Sequence, residues 1–125
     1  MRVLVCGGRD YENAEALHQF MDELAQRITI VAVIEGDARD ADRMAGEWAR
    51  RQCIHNIKYC ADWEKLGRKA GPIRNQLMLD EGKLALVVAF PGGRGTADMV
   101  RRARAVGVEV IEANVKTRGI GNPRG

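Results

Sequence analysis

The residues best placed to do chemistry follow a short apolar run in the second half of the chain. The run 84–89 is typical of a buried strand and leads directly into Phe90-Pro91-Gly92-Gly93-Arg94-Gly95-Thr96. A segment that reads as a helix, 97–105, comes next. Glycines let the backbone turn sharply and approach a ligand closely, and a helix start offers unpaired N–H groups and a positive dipole end. This order predicts an anion-binding loop, with a tight turn that holds no ligand as the alternative.

A second polar group, Gly71-Pro72-Ile73-Arg74-Asn75, opens another predicted helix, since proline suits a first helical turn. Ile73 and Leu77 are expected to form the core-facing stripe of this helix. A charged side chain beside such a stripe requires a partner. For Arg74 that partner is either an anion at the glycine loop or a carboxylate within the protein.

Short runs rich in valine and isoleucine alternate with helical patterns along the chain. Strands buried on both faces have this composition. The alternation predicts an α/β, Rossmann-like doubly wound fold with five mostly parallel strands in the order 3-2-1-4-5 and helices on both faces. The predicted strands are Arg2–Cys6, Ile30–Glu35, Ile54–Tyr59, Leu84–Phe90 and Val108–Ile111, and the helical patterns include 17–24, 41–49, 73–82 and 97–105.

The unusual residues gather where these strands end, which is where such sheets bind ligands. Strands one and four flank the point at which strand order reverses, so their glycine loops are expected to form one cleft. The first loop is Gly7-Gly8-Arg9-Asp10, in which the arginine and aspartate either pair with each other or contact a ligand. After strand two, the aspartates Asp37, Asp40 and Asp42 favour an N-cap over a metal site. After strand three, Trp63 either stacks on a base or covers the edge of the core.

The composition and charge of the chain restrict the class of protein and the kind of ligand. The 125 residues carry a net charge of +3, with 46% hydrophobic and 30% charged residues, which is typical of one globular domain. We expect a domain over 1–115 with a flexible tail over 116–125, no membrane segment, a cytoplasmic location, free cysteines, and neither metal nor cofactor. Fifteen of the 20 basic residues are arginine, which favours an anionic ligand. Arg101, Arg102 and Arg104 read as a solvated helix face, and the small net charge argues against nucleic acid as a partner.

The motifs taken together resemble the YspA/YpsA-type branch of the SLOG superfamily over residues 1 to about 111. The resemblance rests on Val5–Tyr11, Gly36–Asp42, Ala61–Trp63, Gly71–Asn75 and Phe90–Met99. It implies a Rossmannoid fold that binds nucleotides or nucleotide-derived ligands, as a sensor or a processing module. The branch occurs in bacteria and phages. Asp40 departs from the branch, which usually has glycine there.

The same superfamily includes the Smf/DprA DNA-processing proteins and the Lonely Guy enzymes, which cleave the N-glycosidic bond of nucleoside monophosphates. The Lonely Guy motif Pro-Gly-Gly-x-Gly-Thr-x-x-Glu is similar to the glycine loop here, and Arg74 falls close to the arginine that precedes the motif. The glutamate is replaced by Met99, and a thioether can neither handle protons nor stabilise a developing cation. The resemblance therefore implies binding and leaves catalysis open, with Asp98 and Asp10 as candidate carboxylates.

The predictions from the motifs and from the family resemblance together define an expected site. Its ligand is a phosphorylated nucleotide or nucleotide-derived small molecule, and the protein is expected to form a homodimer, as related proteins often do. A nucleotide N-glycosidase is the alternative function, and a DNA-binding protein of DprA type is a third. The residues expected to bind ligand are Gly7, Gly8, Arg9, Asp10, Gly36, Arg74, Asn75, Pro91, Gly92, Gly93, Arg94, Gly95 and Thr96.

Overall fold

A computed structural model describes residues 1–8 and 11–113 of the chain. Within them the strands are Arg2–Cys6 (β1), Ala32–Glu35 (β2), His55–Lys58 (β3), Leu86–Ala89 (β4) and Glu109–Glu112 (β5). The α-helices are Ala14–Arg27 (α1), Ala41–Arg51 (α2), Trp63–Leu66 (α3), Ala70–Gly82 (α4) and Arg94–Ala105 (α5). A single 3₁₀ turn, Gly67–Lys69, joins α3 to α4. Arg9, Asp10 and the predicted tail over 116–125 lie outside the described residues.

The described strands form one parallel sheet in the order β3-β2-β1-β4-β5. β1 lies at its centre, with Val3 opposite Val33 of β2 and Val5 opposite Val88 of β4. β2 and β3 are added on one side of β1, and β4 and β5 are added on its other side. The order therefore reverses between β1 and β4. The predicted fold class and strand order are confirmed.

Side chains of the sheet alternate between two helical layers because successive residues of a strand point to opposite faces. Val3 and Val5 belong to the buried cluster that includes residues of α1 and α2. Leu4 and Cys6 belong to the cluster that includes residues of α4 and α5. Both faces of the central strand are thus covered, which explains its continuous apolar sequence.

The expected apolar stripe of α4 is wrong. Ile73 and Leu77 are exposed, at 48% and 42% of their surface, whereas Asn75 and Met78 are buried. Helical geometry explains the difference, because the face that contacts the sheet repeats through positions 71, 75, 78 and 82. The larger apolar residues fall on the opposite side of the helix.

Two further differences from expectation concern helices. α5 begins at Arg94 rather than Ala97, so the second half of the glycine motif is the first turn of a helix. The short helix α3 was not predicted, because four residues carry no detectable periodicity. No helix within residues 1–8 and 11–113 combines the length and apolar character required to cross a bilayer.

Candidate functional site

The loops that follow β1 and β4 are in direct contact. The N–H of Gly8 donates a hydrogen bond to the carbonyl of Pro91 at 2.9 Å. A Cβ built on Gly8 would lie 3.0 Å from the Cα of Gly92, which is closer than side chains normally tolerate. The two glycine loops therefore meet backbone to backbone, and a residue larger than glycine at position 8 would push them apart.

A cleft of about 1440 Å³ opens above this contact, and it is larger than the usual volume of a small-molecule site. Its walls come from both glycine loops, the start of α5, one face of α4 and the start of α3. Charged side chains of both signs line it. The arginines are Arg68, Arg74, Arg94 and Arg101, and the carboxylates among the described residues are Glu12, Asp42 and Asp98.

The N-terminus of α5 presents free backbone donors to the cleft. The N–H of Ala97 makes the first intrahelical bond, to the carbonyl of Gly93 at 3.0 Å. The three amides before it, at positions 94–96, have no partner within the helix, and Gly93 supplies no side-chain cap. Among the described residues outside its own helix and chain neighbours, a Cβ on Gly93 or Gly95 would meet no atom within 4 Å. An anion can therefore approach these amides without obstruction.

Gly92 has a different role in the same loop. A Cβ on Gly92 would collide with Oγ1 of Thr96 and lie 2.7 Å from the amide nitrogen of Gly8. The threonine hydroxyl thus lies directly against the glycine backbone. This contact holds the loop onto the first turn of α5 and shapes the surface that carries the free amides.

Arg74 is held by contacts within the protein. Its Nη1 donates to the carbonyl of Gly36 at 2.7 Å, and its Nε donates to Oδ1 of Asn75 at 3.0 Å. A Cβ on Gly36 would lie 2.5 Å from Nη1, so the guanidinium covers that glycine. The partners of Arg74 among the described residues are therefore a carbonyl and an amide, and no carboxylate lies within 4 Å of it. Arg74 still lines the cleft, so a ligand anion can reach it.

Asn75 connects α4 to α5. Its Nδ2 donates to the carbonyl of Gly95 at 3.2 Å and to Oδ2 of Asp98 at 3.0 Å. The residue is only 3% exposed. Asn75 thus positions the start of α5, and its amide group is already engaged by the protein.

Asp98 is held in its ionised form. Burial by itself raises the pKa of Asp98, but hydrogen bonds from Arg102 and Asn75 outweigh burial and lower that pKa below its ordinary value. Arg101 adds a further bond to Oδ1 at 2.6 Å. A carboxylate with three donors on it is poorly suited to give or take a proton near neutral pH.

Comparison with known proteins agrees with this architecture. The family model described as YspA, cpYpsA-related SLOG family matches residues 1–66, which include β1, β2, β3 and the first glycine loop. The chain belongs to this SLOG family. The Gene 61 protein of Mycobacterium phage D29 is 37% identical over 118 residues, covering 88% of this chain and 94% of the phage protein. No solved structure matches the chain.

Two residues differ from those expected of SLOG proteins, and the structure shows the surroundings of both. Asp40, where the branch usually has glycine, adopts φ 67° and ψ −106° at the N-cap of α2 and makes no side-chain cap bond. Glycine adopts this backbone conformation readily, whereas in other residues it causes a strain of about 1–3 kcal/mol.

Met99, at the position of the Lonely Guy glutamate, is fully buried in the layer between α5 and the sheet. A glutamate at 99 would enter the core here, not the cleft.

The SLOG motif after β2 also contains a carboxyl group that sequence reasoning undervalued. Asp42 is 5% exposed and lines the cleft; its Oδ2 accepts from the N–H of Ala38 at 3.2 Å, while Oδ1 is buried and has no hydrogen-bond partner among the described residues. Burial raises the pKa of Asp42 to about 7, and the negative charge of Glu35 adds to this, against the opposing influence of Arg74. A carboxyl that changes charge near neutral pH in a cleft is a candidate functional group.

Burial also raises the pKa of the neighbouring Cys6 thiol, with Asp42 contributing, so the thiol stays protonated and unreactive.

The other acids of this motif form a structural network. Glu35 is fully buried; its Oε1 accepts from the N–H of Asp37 at 2.6 Å, and its Oε2 accepts from Nδ2 of Asn56 at 3.1 Å. Asp37 pairs with Lys58 at 3.1 Å. In residues 1–8 and 11–113, no three His, Cys, Asp or Glu side chains form a group that could hold a metal. A buried glutamate at the end of an apolar strand had no signal in the sequence beyond its position.

The predicted site residues fall into three groups by position. Gly8 and Pro91–Thr96 surround the open cleft, and Arg74 and Asn75 line it, with the amide of Asn75 engaged by the first turn of α5. Gly7 and Gly36 serve close packing, since a Cβ on Gly7 would lie 2.6 Å from Cβ of Ala41 and one on Gly36 would meet Arg74. Arg9 and Asp10 lie outside the described residues, so their expected contact with sugar or phosphate stays a prediction.

Proposed function

We propose that the protein binds a phosphorylated nucleotide or nucleotide-derived ligand in the cleft between the β1 and β4 loops. The observation that carries this proposal is the start of α5, where three backbone amides have no helical partner and a Cβ on Gly93 or Gly95 would meet no other part of the described residues within 4 Å. A phosphate at this point would accept those N–H groups and interact with the positive end of the helix dipole. Membership of the SLOG family supports a nucleotide-related ligand.

The charges of the cleft support the same assignment. Arg94 is the first residue of α5 and Arg74 lies on α4, and both arginines line the cleft. Arginine binds phosphate through paired N–H groups and remains charged at any physiological pH. The remaining volume of the cleft is large enough for the sugar and base.

Gly93→Val tests the phosphate position. A Cβ at 93 would meet no atom of the other described residues within 4 Å, so the fold should persist, while the branched side chain would fill the space that the anion needs. Titration calorimetry with the four ribonucleoside 5′-monophosphates should find binding to the native protein and at least tenfold weaker binding to Gly93→Val. Ala105→Val is the matched control, because it adds two methyl groups at the exposed opposite end of the same helix. Equal affinity of the folded Gly93→Val protein would overturn the proposal.

Hydrolysis of the N-glycosidic bond is the second candidate function, and Asp42 is the observation that favours it. Water would attack the anomeric carbon, the bond to the base nitrogen would break, and that nitrogen would take a proton, giving free base and ribose 5-phosphate. A carboxyl with a pKa of about 7 is protonated often enough to donate that proton. Because Oδ1 is covered from solvent, its donation requires a rotation of the side chain. Base release measured by chromatography, present in the native protein and lost in Asp42→Asn, would establish this activity.

A further inference from the structure

Trp63 is held in a fixed position at the edge of the cleft. It is the first residue of α3, and the preceding Asp62 caps that helix by accepting from the N–H of Lys65 at 3.1 Å. The carbonyl of Asp62 also accepts from the N–H of Leu66 at 2.9 Å. These two hydrogen bonds stabilise the short helix that carries the indole.

The indole is exposed, although the sequence left open that it covers the core. Trp63 keeps 57% of its surface accessible and lines the cleft. The other tryptophan, Trp48, is 2% exposed and donates its Nε1 hydrogen to Asp22 at 2.8 Å. Covering an aromatic ring of this size is strongly favourable, so an exposed indole inside a concave site gains stability when a flat apolar partner covers it.

One side of the ring is supported by α4. A Cβ on Gly71 would lie 3.0 Å from Cη2 of Trp63, so the missing side chain makes room for the benzene half of the indole. Gly71 and Asn75 lie on the same buried face of α4, about 6 Å apart along its axis at 1.5 Å per residue. Asn75 in turn binds the carbonyl of Gly95 at the start of α5. Through Gly71 and Asn75, α4 therefore contacts both the indole and the first turn of α5, and Trp63, Gly93 and Gly95 line the same cleft.

We propose that Trp63 is the stacking platform for the base of the bound nucleotide. The inference rests on the proposed function, and it adds a requirement that the ligand carry a planar aromatic base in addition to its phosphate. Sugar phosphates would occupy the same amides but leave the indole uncovered. Stacking tolerates any base because each has a π face, so Trp63 selects nucleotides as a class.

The test compares nucleotides with ribose 5-phosphate by titration calorimetry. Native protein should bind the four ribonucleoside 5′-monophosphates at least tenfold more tightly than ribose 5-phosphate. Trp63→Leu should weaken the nucleotides about tenfold or more and leave ribose 5-phosphate unchanged. Trp63→Phe should recover most of the loss, since it restores an aromatic face. Ile73→Ala is the matched control, because it truncates an exposed apolar residue of the neighbouring helix that does not line the cleft.

Fluorescence gives a second measurement. Nucleotides should quench the native emission, and Trp63→Leu should abolish the change although Trp48 still emits. Equal weakening of nucleotides and ribose 5-phosphate by Trp63→Leu, with Gly93→Val still preventing binding, would overturn the stacking role and leave the proposed function intact. Absence of binding of every phosphate ligand to the native protein would overturn both.

Discussion

Replacement of Asp42 by asparagine should stabilise the protein increasingly as pH rises. In the unfolded chain this carboxyl has a pKa near 3.8, whereas in the fold its pKa is about 7. Between these values the folded state holds a proton that the unfolded state has lost, so the free energy of unfolding falls as pH increases. Asparagine cannot ionise, so the variant does not incur this loss.

The magnitude follows from the two pKa values. Each unit of difference is worth about 1.4 kcal/mol, so the full separation of roughly three units costs about 4 kcal/mol above pH 7. Integrated over both titrations, the advantage of Asp42→Asn should grow by about 2.5 kcal/mol between pH 5 and pH 8. Most of this growth falls below pH 7, because the folded carboxyl is largely ionised above that value.

Urea unfolding at pH 5, 6, 7 and 8 measures this difference directly. Asp37→Asn is the matched control: hydrogen bonds from Cys60 and Lys58 lower the pKa of Asp37, so that carboxylate is ionised in both states throughout this range. The effect of Asp37→Asn on the free energy of unfolding should therefore be constant from pH 5 to pH 8. Parallel pH profiles for the native protein and Asp42→Asn would refute the raised pKa, and with it the proton-donor role of Asp42.

Substitutions at three further positions test this description of the site. Arg74→Ala should weaken nucleotides about ten- to a hundredfold more than the matching nucleosides in calorimetry, because a charge-assisted hydrogen bond contributes roughly 1.5–3 kcal/mol; equal loss for both would assign Arg74 to the Gly36 contact alone. Met99→Glu should lower the free energy of unfolding by at least about 3 kcal/mol, since it places a charge in the core, whereas Met99→Leu should cost less than about 1.5 kcal/mol. Asp40→Gly should raise the midpoint of thermal unfolding by relieving about 1 kcal/mol of backbone strain, and an unchanged midpoint would show that φ 67° is not strained here.

Local pattern was sufficient for the five strands and their order, but not for the short helix α3. Valine-rich runs separated by helical repeats predict a parallel sheet, because strands buried on both faces need apolar residues at every position. The glycine loops after β1 and β4 could be placed together because handedness restricts how such strands connect. The glycine motif between β4 and α5 could also be recognised, because a strand, glycines and a helix follow one another in the chain, although the helix begins at Arg94 rather than at the expected Ala97.

Tertiary structure decided which side of each helix faces the sheet and which polar groups are satisfied. Ile73 and Leu77 look like core residues by type, yet α4 turns the smaller Gly71 and the polar Asn75 inward, because their neighbours there are the indole of Trp63 and the start of α5. Burial raises the pKa of Asp42, Glu35 adds to the rise and Arg74 opposes it; all three effects arise only in the folded chain, because Glu35 and Arg74 lie on other elements. The spacing of apolar residues along the chain predicts helices and strands. The burial and charge pairing of a side chain depend instead on the distances between segments that are remote in sequence. Those distances exist only once the sheet has assembled.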